Sequence, residues 1–183
     1  MQFINSFFQI NKLPNDNITE ICLIGRSNVG KSSLINMLSK SKIAKTSKTP
    51  GATRCINLFS MNKIRIVDLP GYGYSKTPRS ISDTWNDLLY TYITKRKNLK
   101  NRIILIDGKI GFKKNDLEIL DLLSNYTYEI FFTKSEKISK TKQQELIDFC
   151  KKNHIKINAN NFCSSKTGLG HKNILQFINQ YNI

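Results

Sequence analysis

The sequence predicts an α/β fold: a six-stranded, mostly parallel sheet with one antiparallel strand and helices on both faces. Short apolar runs alternate along the chain with longer stretches of helical periodicity, which is the pattern of strands joined by crossover helices. Only Met61-Asn62-Lys63 joins the second run to the third, so we expect the second strand to run antiparallel to the rest. The predicted strands are 21–24, 55–60, 63–67, 103–106, 128–133 and 160–163, and the predicted helices are 31–39, 81–96, 115–124, 140–153 and 171–180.

The length of 183 residues suits one domain, and we assign 1–183 to it with a short N-terminal extension at 1–19. No apolar run is long enough to span a membrane. The apolar segment at 1–8 lacks a basic leader and a clear small-residue cleavage site. We therefore expect a cytoplasmic protein without membrane association. No feature of the sequence indicates an oligomer, so we expect a monomer.

The four cysteines are too scattered for a metal site or a redox pair. None lies in a C-x-x-C pair, and neither histidine lies at metal-ligand spacing from them. Cys22 and Cys163 fall within strand-like apolar runs, which favours buried free thiols.

The formal net charge of +16 predicts an anionic partner, and RNA is the foremost candidate. The chain is also rich in lysine, asparagine and isoleucine, and lysine greatly outnumbers arginine. A+T-rich coding produces the same bias, so a functional basic surface and compositional drift are both open explanations.

Residues 25–32 read Gly-Arg-Ser-Asn-Val-Gly-Lys-Ser, the G-x-x-x-x-G-K-[ST] pattern of a phosphate-binding loop. A predicted strand precedes the loop and a predicted helix follows it, which is the context that the motif requires. Backbone N–H groups of the loop are expected to face the phosphates, Lys31 to reach the β- and γ-phosphates, and Ser32 to ligate Mg²⁺. The loop residues are Gly25, Arg26, Ser27, Asn28, Val29, Gly30, Lys31 and Ser32.

A second phosphate-side motif, Asp68-Leu69-Pro70-Gly71, ends the third predicted strand. Asp68 is expected to hold Mg²⁺ through water. The N–H of Gly71 is expected to approach a γ-phosphate, because no Cβ stands in the way. The motif is weak alone, but its position about forty residues after the phosphate loop strengthens it.

Two further segments indicate a guanine base. Thr133-Lys134-Ser135-Glu136 ends the fifth predicted strand, where a guanine-nucleotide-binding protein carries [N/T]-K-x-D: the lysine stem covers the base and the carboxylate accepts from the guanine N–H groups. Ser164-Ser165-Lys166 ends the sixth, and it fits a loop whose backbone N–H meets guanine O6. Either segment alone is equally compatible with a solvated loop, but together and in this order they favour guanine.

With these motifs quoted, the chain resembles the EngB (YsxC-like) family of bacterial ribosome-biogenesis GTPases over nearly its whole length. The marks are Gly-Arg-Ser-Asn-Val-Gly-Lys-Ser-Ser at 25–33, Lys-Thr-Pro-Gly-Ala-Thr at 48–53 and Asp-Leu-Pro-Gly-Tyr-Gly-Tyr at 68–74, with Trp85 and Ile106-Asp107 also matching. The resemblance implies a Ras-like P-loop GTPase domain that binds GTP and GDP and hydrolyses GTP slowly. It also implies a role in large ribosomal subunit assembly, through rRNA or a ribosomal protein, and in normal cell division and septation.

The resemblance further implies roles in the first switch segment. Thr53 is the threonine expected to complete the Mg²⁺ shell with Ser32, and a local turn hydrogen bond by its hydroxyl is the alternative. Lys31, Thr53 and Gly71 are then the groups expected to act on the reacting phosphate. The residues expected to flank the phosphates are Gly51, Ala52, Thr53, Arg54 and Cys55.

Three positions depart from the family pattern. Glu136 stands where aspartate is expected, and its extra methylene displaces the carboxylate, so we expect weaker guanine binding with guanine still preferred over adenine. Arg54 replaces a frequent glutamine, and a solvated loop cation is expected there rather than a phosphate ligand. Ser165 replaces the usual alanine and should matter little, because the contact is made by a backbone N–H.

Hydrolysis is expected to be slow, because Tyr72 stands where Ras-type proteins carry a water-orienting glutamine; unassisted rates are on the order of 10⁻³ s⁻¹ or below. A K⁺ ion held by Asn28 is one substitute for the missing catalytic group, and an asparagine that only braces the loop is the alternative.

The output is expected to be a switch, in which the γ-phosphate orders 40–54 and 71–80. The second segment carries Tyr72, Tyr74, Lys76 and Arg79. This mixture of aromatic and basic residues suits contact with RNA or a ribosomal protein, and it suits an ordinary solvated loop equally well.

Three other functions compete with this one. A non-hydrolysing G protein is favoured by the absent glutamine and disfavoured by the intact set of Ser32, Asp68 and Thr53. An ATPase or small-molecule kinase shares the phosphate loop but leaves 133–134 and 164–166 unexplained. An RNA-binding protein with a vestigial nucleotide site would bind RNA with steep salt dependence and without regard to nucleotide.

Overall fold

The computed structural model of the chain describes residues 1–46, 55–73, 79–158 and 160–182, with 79–86 described by their backbone alone. The strands are β1 Gln2–Phe7, β2 Glu20–Gly25, β3 Ile56–Met61, β4 Ile64–Asp68, β5 Leu99–Asp107 and β6 Tyr128–Thr133. The helices are α1 Lys31–Ser39, α2 Arg79–Lys95, α3 Lys114–Leu122, α4 Lys140–Lys152 and α5 His171–Asn179. The strands form one sheet in the order β1-β3-β4-β2-β5-β6.

One strand runs against the others. β3 pairs antiparallel with both β1 and β4, whereas β4, β2, β5 and β6 pair in parallel. Between β3 and β4, Asn62 takes the left-handed conformation (φ 53°), which asparagine tolerates better than most residues. The antiparallel second strand expected from the short connection is therefore confirmed. The carboxyl ends of four parallel strands meet at one edge of the sheet, where open α/β sheets bind ligands.

The sheet has the expected number of strands, but β1 was not predicted. It lies in the segment taken as an N-terminal extension and forms the edge beside β3, with Phe3 opposite Phe59. Its residues are mostly exposed, so the strand lacks the buried alternation that identifies a strand in a sequence. Pairing with β3, a tertiary contact, is what makes it a strand.

The predicted strand 160–163 is wrong as an independent element. The structure has only one bridge there, between Phe162 and Phe132 of β6. The reason is local: the backbone N–H of Asn161 closes a tight turn with the preceding residues, and its side-chain amide donates to the carbonyl of Ile130 at 3.0 Å. A side chain and a turn thus take the bonds that a longer ladder would use.

Helices cover both faces of the sheet, as predicted, and each predicted helix is present with bounds that agree within two residues. α1 and α5 pack on one face around Leu34 and Ile174. α2, α3 and α4 pack on the other face around Tyr92, Leu120 and Leu146. None of the described helices is both long and apolar enough to cross a membrane.

The cysteines behave largely as expected. Cys22, Cys150 and Cys163 are buried free thiols, and burial raises the pKa of Cys150 to about 11 and, with a smaller contribution from Glu136, that of Cys163 to about 12. Cys55 is half-buried and donates to Asn57 Oδ1 at 3.3 Å.

A buried ion network closes the amino end of the parallel strands. Glu20 is fully buried and accepts from the hydroxyl of Tyr92 at 2.7 Å and from two nitrogens of Arg96, at 2.9 and 2.7 Å. Arg65 lies 3.5 Å from Glu20 and donates to Asp16 at 2.8 Å. The hydrogen bond from Arg65, opposed by partial desolvation, lowers the pKa of Asp16 to about 2. Because each charge has an opposite partner, the network tolerates its burial.

We expect Asp16→Asn to remove part of the acid sensitivity of folding. The pKa of Asp16 falls from 3.8 to about 2 on folding. Its contribution to stability is therefore fully present above pH 3.8 and lost as the pH falls toward 2. In urea unfolding, the difference between wild type and Asp16→Asn should be widest near pH 5 and shrink toward about pH 2. Asp121→Asn is the control, because Asp121 is exposed and makes no ion pair within the described chain. A constant difference would contradict the prediction.

Candidate nucleotide-binding site

The phosphate loop leaves the carboxyl end of β2 and runs directly into α1. Asn28 (φ 63°) and Gly30 (φ 114°) take positive φ angles that fold the loop back on itself. Gly25 has no room for a side chain, since a Cβ there would lie 2.7 Å from Val29 Cγ1. Because α1 begins at Lys31, its first N–H groups have no partner within the helix and form, with the loop amides, an anion-binding end.

Lys31 and Asp68 form the charged centre of the site, although they are only 7 % and 1 % exposed. The ammonium of Lys31 donates to the carbonyl of Gly25 at 3.4 Å, and the hydroxyl of Ser32 donates to Asp68 Oδ2 at 3.3 Å. Desolvation lowers the pKa of Lys31 and raises that of Asp68, while the attraction between the two groups opposes both shifts. Charges buried to this degree are costly unless further charges compensate them, as a phosphate and a cation would.

The side chains at this position fit a Mg²⁺ ion bound chiefly through phosphate and water. Oδ1 of Asp68 is buried and has no hydrogen-bond partner among the described residues, a need that a metal-bound water satisfies. No cluster of three His, Cys, Asp or Glu side chains suited to a metal occurs in the part of the chain that the structure describes. Mg²⁺ does not require one, because it keeps several waters and takes one or two protein ligands beside phosphate.

The segment after β4 lies directly on the phosphate loop. The N–H of Ser27 donates to the carbonyl of Tyr72 at 3.0 Å, and Arg26 forms a parallel bridge with Tyr72 that extends the pairing beyond the strands. A Cβ on Gly71 would lie 2.8 Å from the backbone nitrogen of Ser27 and 3.1 Å from Lys31 Nζ. Only glycine fits there, and any displacement of this segment must also disturb the phosphate loop.

Lys134, in the loop at 133–136, makes an ion pair and hydrogen bonds that join this loop to the phosphate loop. Lys134, in the left-handed conformation (φ 57°), donates to Asp107 Oδ2 at 2.6 Å and to the carbonyl of Asn28 at 2.9 Å. The hydroxyl of Thr133 donates to the carbonyl of Val29 at 2.8 Å. The lysine stem therefore crosses from one loop to the other. Asp107 was noted in the sequence without a role, and only the tertiary structure shows that it orients Lys134.

A hydrogen bond between Glu136 and Ser164 joins the segments 133–136 and 164–166. The hydroxyl of Ser164 accepts from the N–H groups of Lys166 and Thr167, at 3.3 and 3.1 Å, and bonds the carboxylate of Glu136. Burial acts to raise the pKa of Glu136, but the bond from Ser164, its own N–H and the nearby Lys137 and Lys166 outweigh burial and lower it. The carboxylate is exposed and ionised, the state in which it accepts hydrogen bonds.

A buried cluster behind the phosphate loop was missed by the sequence analysis. The hydroxyl of Tyr72 donates to Asp116 Oδ1 at 2.8 Å, and Arg26 Nε lies 3.2 Å from Asp116 Oδ2. Asp116 is fully buried and also accepts from the N–H of Lys113 at 2.7 Å. Its spacing from Lys113 suggests a helix cap, but nothing in the sequence indicates that it faces Tyr72.

This geometry corrects the surface role considered for Tyr72. The side chain is 8 % exposed, and burial, followed by the charge of Asp116, raises the pKa of its hydroxyl. It therefore faces the core between the phosphate loop and α3 rather than an RNA or protein partner.

Part of the predicted site lies outside the described residues: Gly51, Ala52, Thr53, Arg54, Tyr74, Lys76 and the side chains of Arg79 and Trp85. Cys55 is described and lies directly before β3. The structure brings the other predicted residues to the carboxyl edge of the sheet: Gly25, Arg26, Ser27, Asn28, Val29, Gly30, Lys31, Ser32, Asp68, Leu69, Pro70, Gly71, Thr133, Lys134, Ser135, Glu136, Ser164, Ser165 and Lys166.

Known proteins are similar to this chain in sequence and in fold. The profile of the family described as 50S ribosome-binding GTPase matches residues 20–156. The chain is 43 % identical over 149 residues to the probable GTP-binding protein EngB of Rickettsia bellii, covering 79 % of this chain and 70 % of that protein. It is 44 % identical over 142 residues to the probable GTP-binding protein EngB of Rickettsia africae, covering 75 % and 67 %. A crystal structure of a probable GTP-binding protein EngB matches with a TM-score of 0.72 at 26 % identity, covering 90 % of this chain and 98 % of that one.

We expect Tyr72→Phe to destabilise the nucleotide-free protein by about 1.5–3 kcal/mol, because it removes a buried hydrogen bond to a charged group. Urea unfolding measures this loss. Tyr90→Phe is the matched control: Tyr90 is 48 % exposed, and its hydroxyl makes no hydrogen bond within the described residues, so its effect should stay within about 0.5 kcal/mol. Equal losses in the two variants would show that the bond from Tyr72 to Asp116 has no structural role.

Proposed function

Because the chain belongs to the 50S ribosome-binding GTPase family and is an EngB-like GTP-binding protein that hydrolyses GTP, we propose that it is a guanine-nucleotide switch in assembly of the large ribosomal subunit. The observation that carries the proposal is the contact of Gly71 with Ser27 and Lys31: the segment that senses a γ-phosphate is built onto the loop that holds it. The description of the family and the net charge of +16 support a ribosomal partner, rRNA or ribosomal protein.

The proposal has a cellular part that rests on the resemblance to the EngB family. It assigns the protein to the cytoplasm, as a monomeric single domain over 1–183, and makes it necessary for normal cell division and septation.

Each part of the nucleotide has an assigned partner in this proposal. The loop amides over 25–32 hold the phosphates, and the stem of Lys134 covers the base whose N–H groups Glu136 accepts. The backbone at 164–166 meets guanine O6. Ser32 and Asp68 hold Mg²⁺, the latter through water, with Thr53 completing the shell in the GTP state. When bound, Mg²⁺ neutralises charge between the β- and γ-phosphates.

The chemistry is transfer of the γ-phosphoryl group to water, to which the chain contributes charge and position. Lys31 places its ammonium beside Gly71, so both can face the γ-phosphate oxygens. The hydroxyl of Tyr72 is committed to Asp116, so this residue does not orient the attacking water. Hydrolysis is therefore slow until another group is supplied.

Asn28 is our candidate for a K⁺ ligand that supplies part of the missing charge. It is exposed and takes the left-handed conformation in the phosphate loop. Its carbonyl accepts from Lys134, which fixes the backbone from which the side chain projects.

The test of the proposed function is single-turnover GTP hydrolysis with and without purified large ribosomal subunits, in KCl and in NaCl. We expect subunits to accelerate hydrolysis at least about tenfold, as partner-supplied groups do for other GTPases. K⁺ should give a faster rate than Na⁺, and Lys31→Ala should be inactive throughout. Equal rates in the two salts would exclude the K⁺ ligand. Absence of both acceleration and GTP-dependent co-sedimentation with subunits would contradict the ribosomal switch.

We expect Glu136→Asp to tighten binding of both GTP and GDP about tenfold, because the shorter side chain restores a charge-assisted hydrogen bond. Calorimetric titration of the nucleotide-free protein with GTP, GDP and ATP measures this effect. ATP should give no heat with either protein. Glu145→Asp is the control, since Glu145 is exposed on α4 and its one ion pair within the described residues is with Lys142. Unchanged guanine affinity in Glu136→Asp would contradict the assigned cause.

A further inference from the structure

A groove opens at the amino end of β5 and β6, the end of the sheet opposite to the nucleotide site. Its volume is about 770 Å³, enough for a nucleotide-sized group, and its lining includes Tyr126, Tyr128, His154 and Lys156. None of these residues takes part in the proposed nucleotide chemistry. The groove therefore calls for a separate explanation.

The groove contains an aromatic ring that is held in place. The guanidinium of Arg102 lies over the ring of Tyr126, 4.6 Å from its centroid, and the hydroxyl of Tyr126 donates to the carbonyl of Thr94 at 3.5 Å. Tyr126 as a whole is 36 % exposed. One face is thus covered by a cation while the ring remains accessible from the groove, an arrangement that suits stacking of a nucleobase.

Exposed lysines form two rows on chain segments that adjoin the groove, whose own charged lining residues are Lys156, Asp121 and Glu129. The first row follows α2 into β5, and the hydroxyl of Thr127 ties it to the groove by donating to the carbonyl of Lys100 at 2.9 Å. The second row ends α4 and continues to Lys156. Within the described residues, the one ion pair made by these six lysines is the 4.0 Å contact of Lys151 with Asp148. The rows are Lys95, Lys97 and Lys100, and Lys151, Lys152 and Lys156.

Helix capping does not account for both rows. Lys95, Lys151 and Lys152 lie in the last turns of their helices, where cations are favourable. Lys97, Lys100 and Lys156 lie outside the helices, so no helix dipole explains them. Nearby Glu20 is already paired with arginines, and Glu129 accepts from the side-chain amide of Asn161, which leaves Asp121 as the exposed carboxylate among the described residues lining the groove.

We propose that this groove binds single-stranded RNA, with a base stacked on Tyr126 and the backbone phosphates along the two lysine rows. Flexible lysines that outnumber the two carboxylates lining the groove, beside an accessible aromatic ring, favour RNA over a folded protein partner. The inference rests on the proposed function and deepens it. RNA held at this end of the sheet leaves the carboxyl edge open for nucleotide exchange.

The test is fluorescence anisotropy of a labelled single-stranded RNA of about 12 nucleotides, a length within the site sizes of such grooves, with saturating GDP and Mg²⁺ to occupy the phosphate loop. The groove variant carries Lys100→Gln, Lys152→Gln and Lys156→Gln. The control carries Lys114→Gln, Lys140→Gln and Lys142→Gln at the opposite ends of α3 and α4, where Lys114 and Lys140 are exposed and Lys142 is half-buried. We expect the groove variant to bind about tenfold more weakly and to lose about 2 units of salt slope, against less than threefold for the control.

A second variant separates stacking from charge. Tyr126→Leu should weaken RNA binding about fivefold without changing the salt slope, and Tyr126→Phe should bind like the wild type. Thermal unfolding and GDP affinity of each variant identify any loss of folding.

Equal weakening by the two lysine variants would overturn the inference, since it would mean diffuse attraction to a basic chain. Failure of the wild type to bind the RNA would overturn it as well. The proposed function is judged separately by subunit-stimulated hydrolysis. If the groove variant still responds fully to subunits while oligonucleotide binding is absent in every protein, the groove is not an RNA site and the ribosomal contact is made elsewhere.

Discussion

The backbone contact between the phosphate loop and the segment after β4 is the constraint on which the candidate site depends. The Ser27 N–H to Tyr72 carbonyl bond and the absence of a side chain at Gly71 bring two loops from neighbouring strands within van der Waals distance. Lys31 and Asp68 then lie in one buried centre. A change in phosphate occupancy cannot be confined to one loop, because the packing leaves neither loop free to move alone.

The buried carboxylates at the two ends of the sheet differ in how completely they are hydrogen-bonded. At the amino end, both oxygens of the buried Glu20 carboxylate are occupied by arginine and tyrosine donors, although Arg65 Nε is buried without a hydrogen-bond partner among the described residues. At the carboxyl end, Oδ1 of Asp68 is buried with no partner among the described residues. A buried carboxylate whose oxygens are both satisfied needs no ligand, whereas one with an unpartnered oxygen stabilises an ion or water that bonds it. This asymmetry distinguishes the binding end from the structural end.

Hydrogen bonds and ion pairs also connect the phosphate loop to α3 and to β5. Tyr72 follows the glycine that contacts the phosphate loop, and its hydroxyl reaches Asp116 on α3, which in turn pairs with Arg26 of that loop. On the base side, Lys134 links Asp107 to the carbonyl of Asn28. Both links are charged, at most partly exposed, and made between residues far apart in the chain. The nucleotide site is therefore braced from α3 on one side and from β5 on the other.

The sequence by itself determined the α/β class, the antiparallel β3 and all five helices, because periodicity, glycine positions and short connections are local signals. It also placed the loops at 25–32, 68–71 and 133–136 at strand ends, whereas 164–166 follows a segment that forms one bridge and not the predicted strand. Only the tertiary structure decided that Gln2–Phe7 is a strand, that 160–163 is reduced to one bridge, and that Tyr72 faces inward to Asp116. The first and the last of these outcomes depend on partners distant in the chain, β3 and α3, which local propensity does not specify.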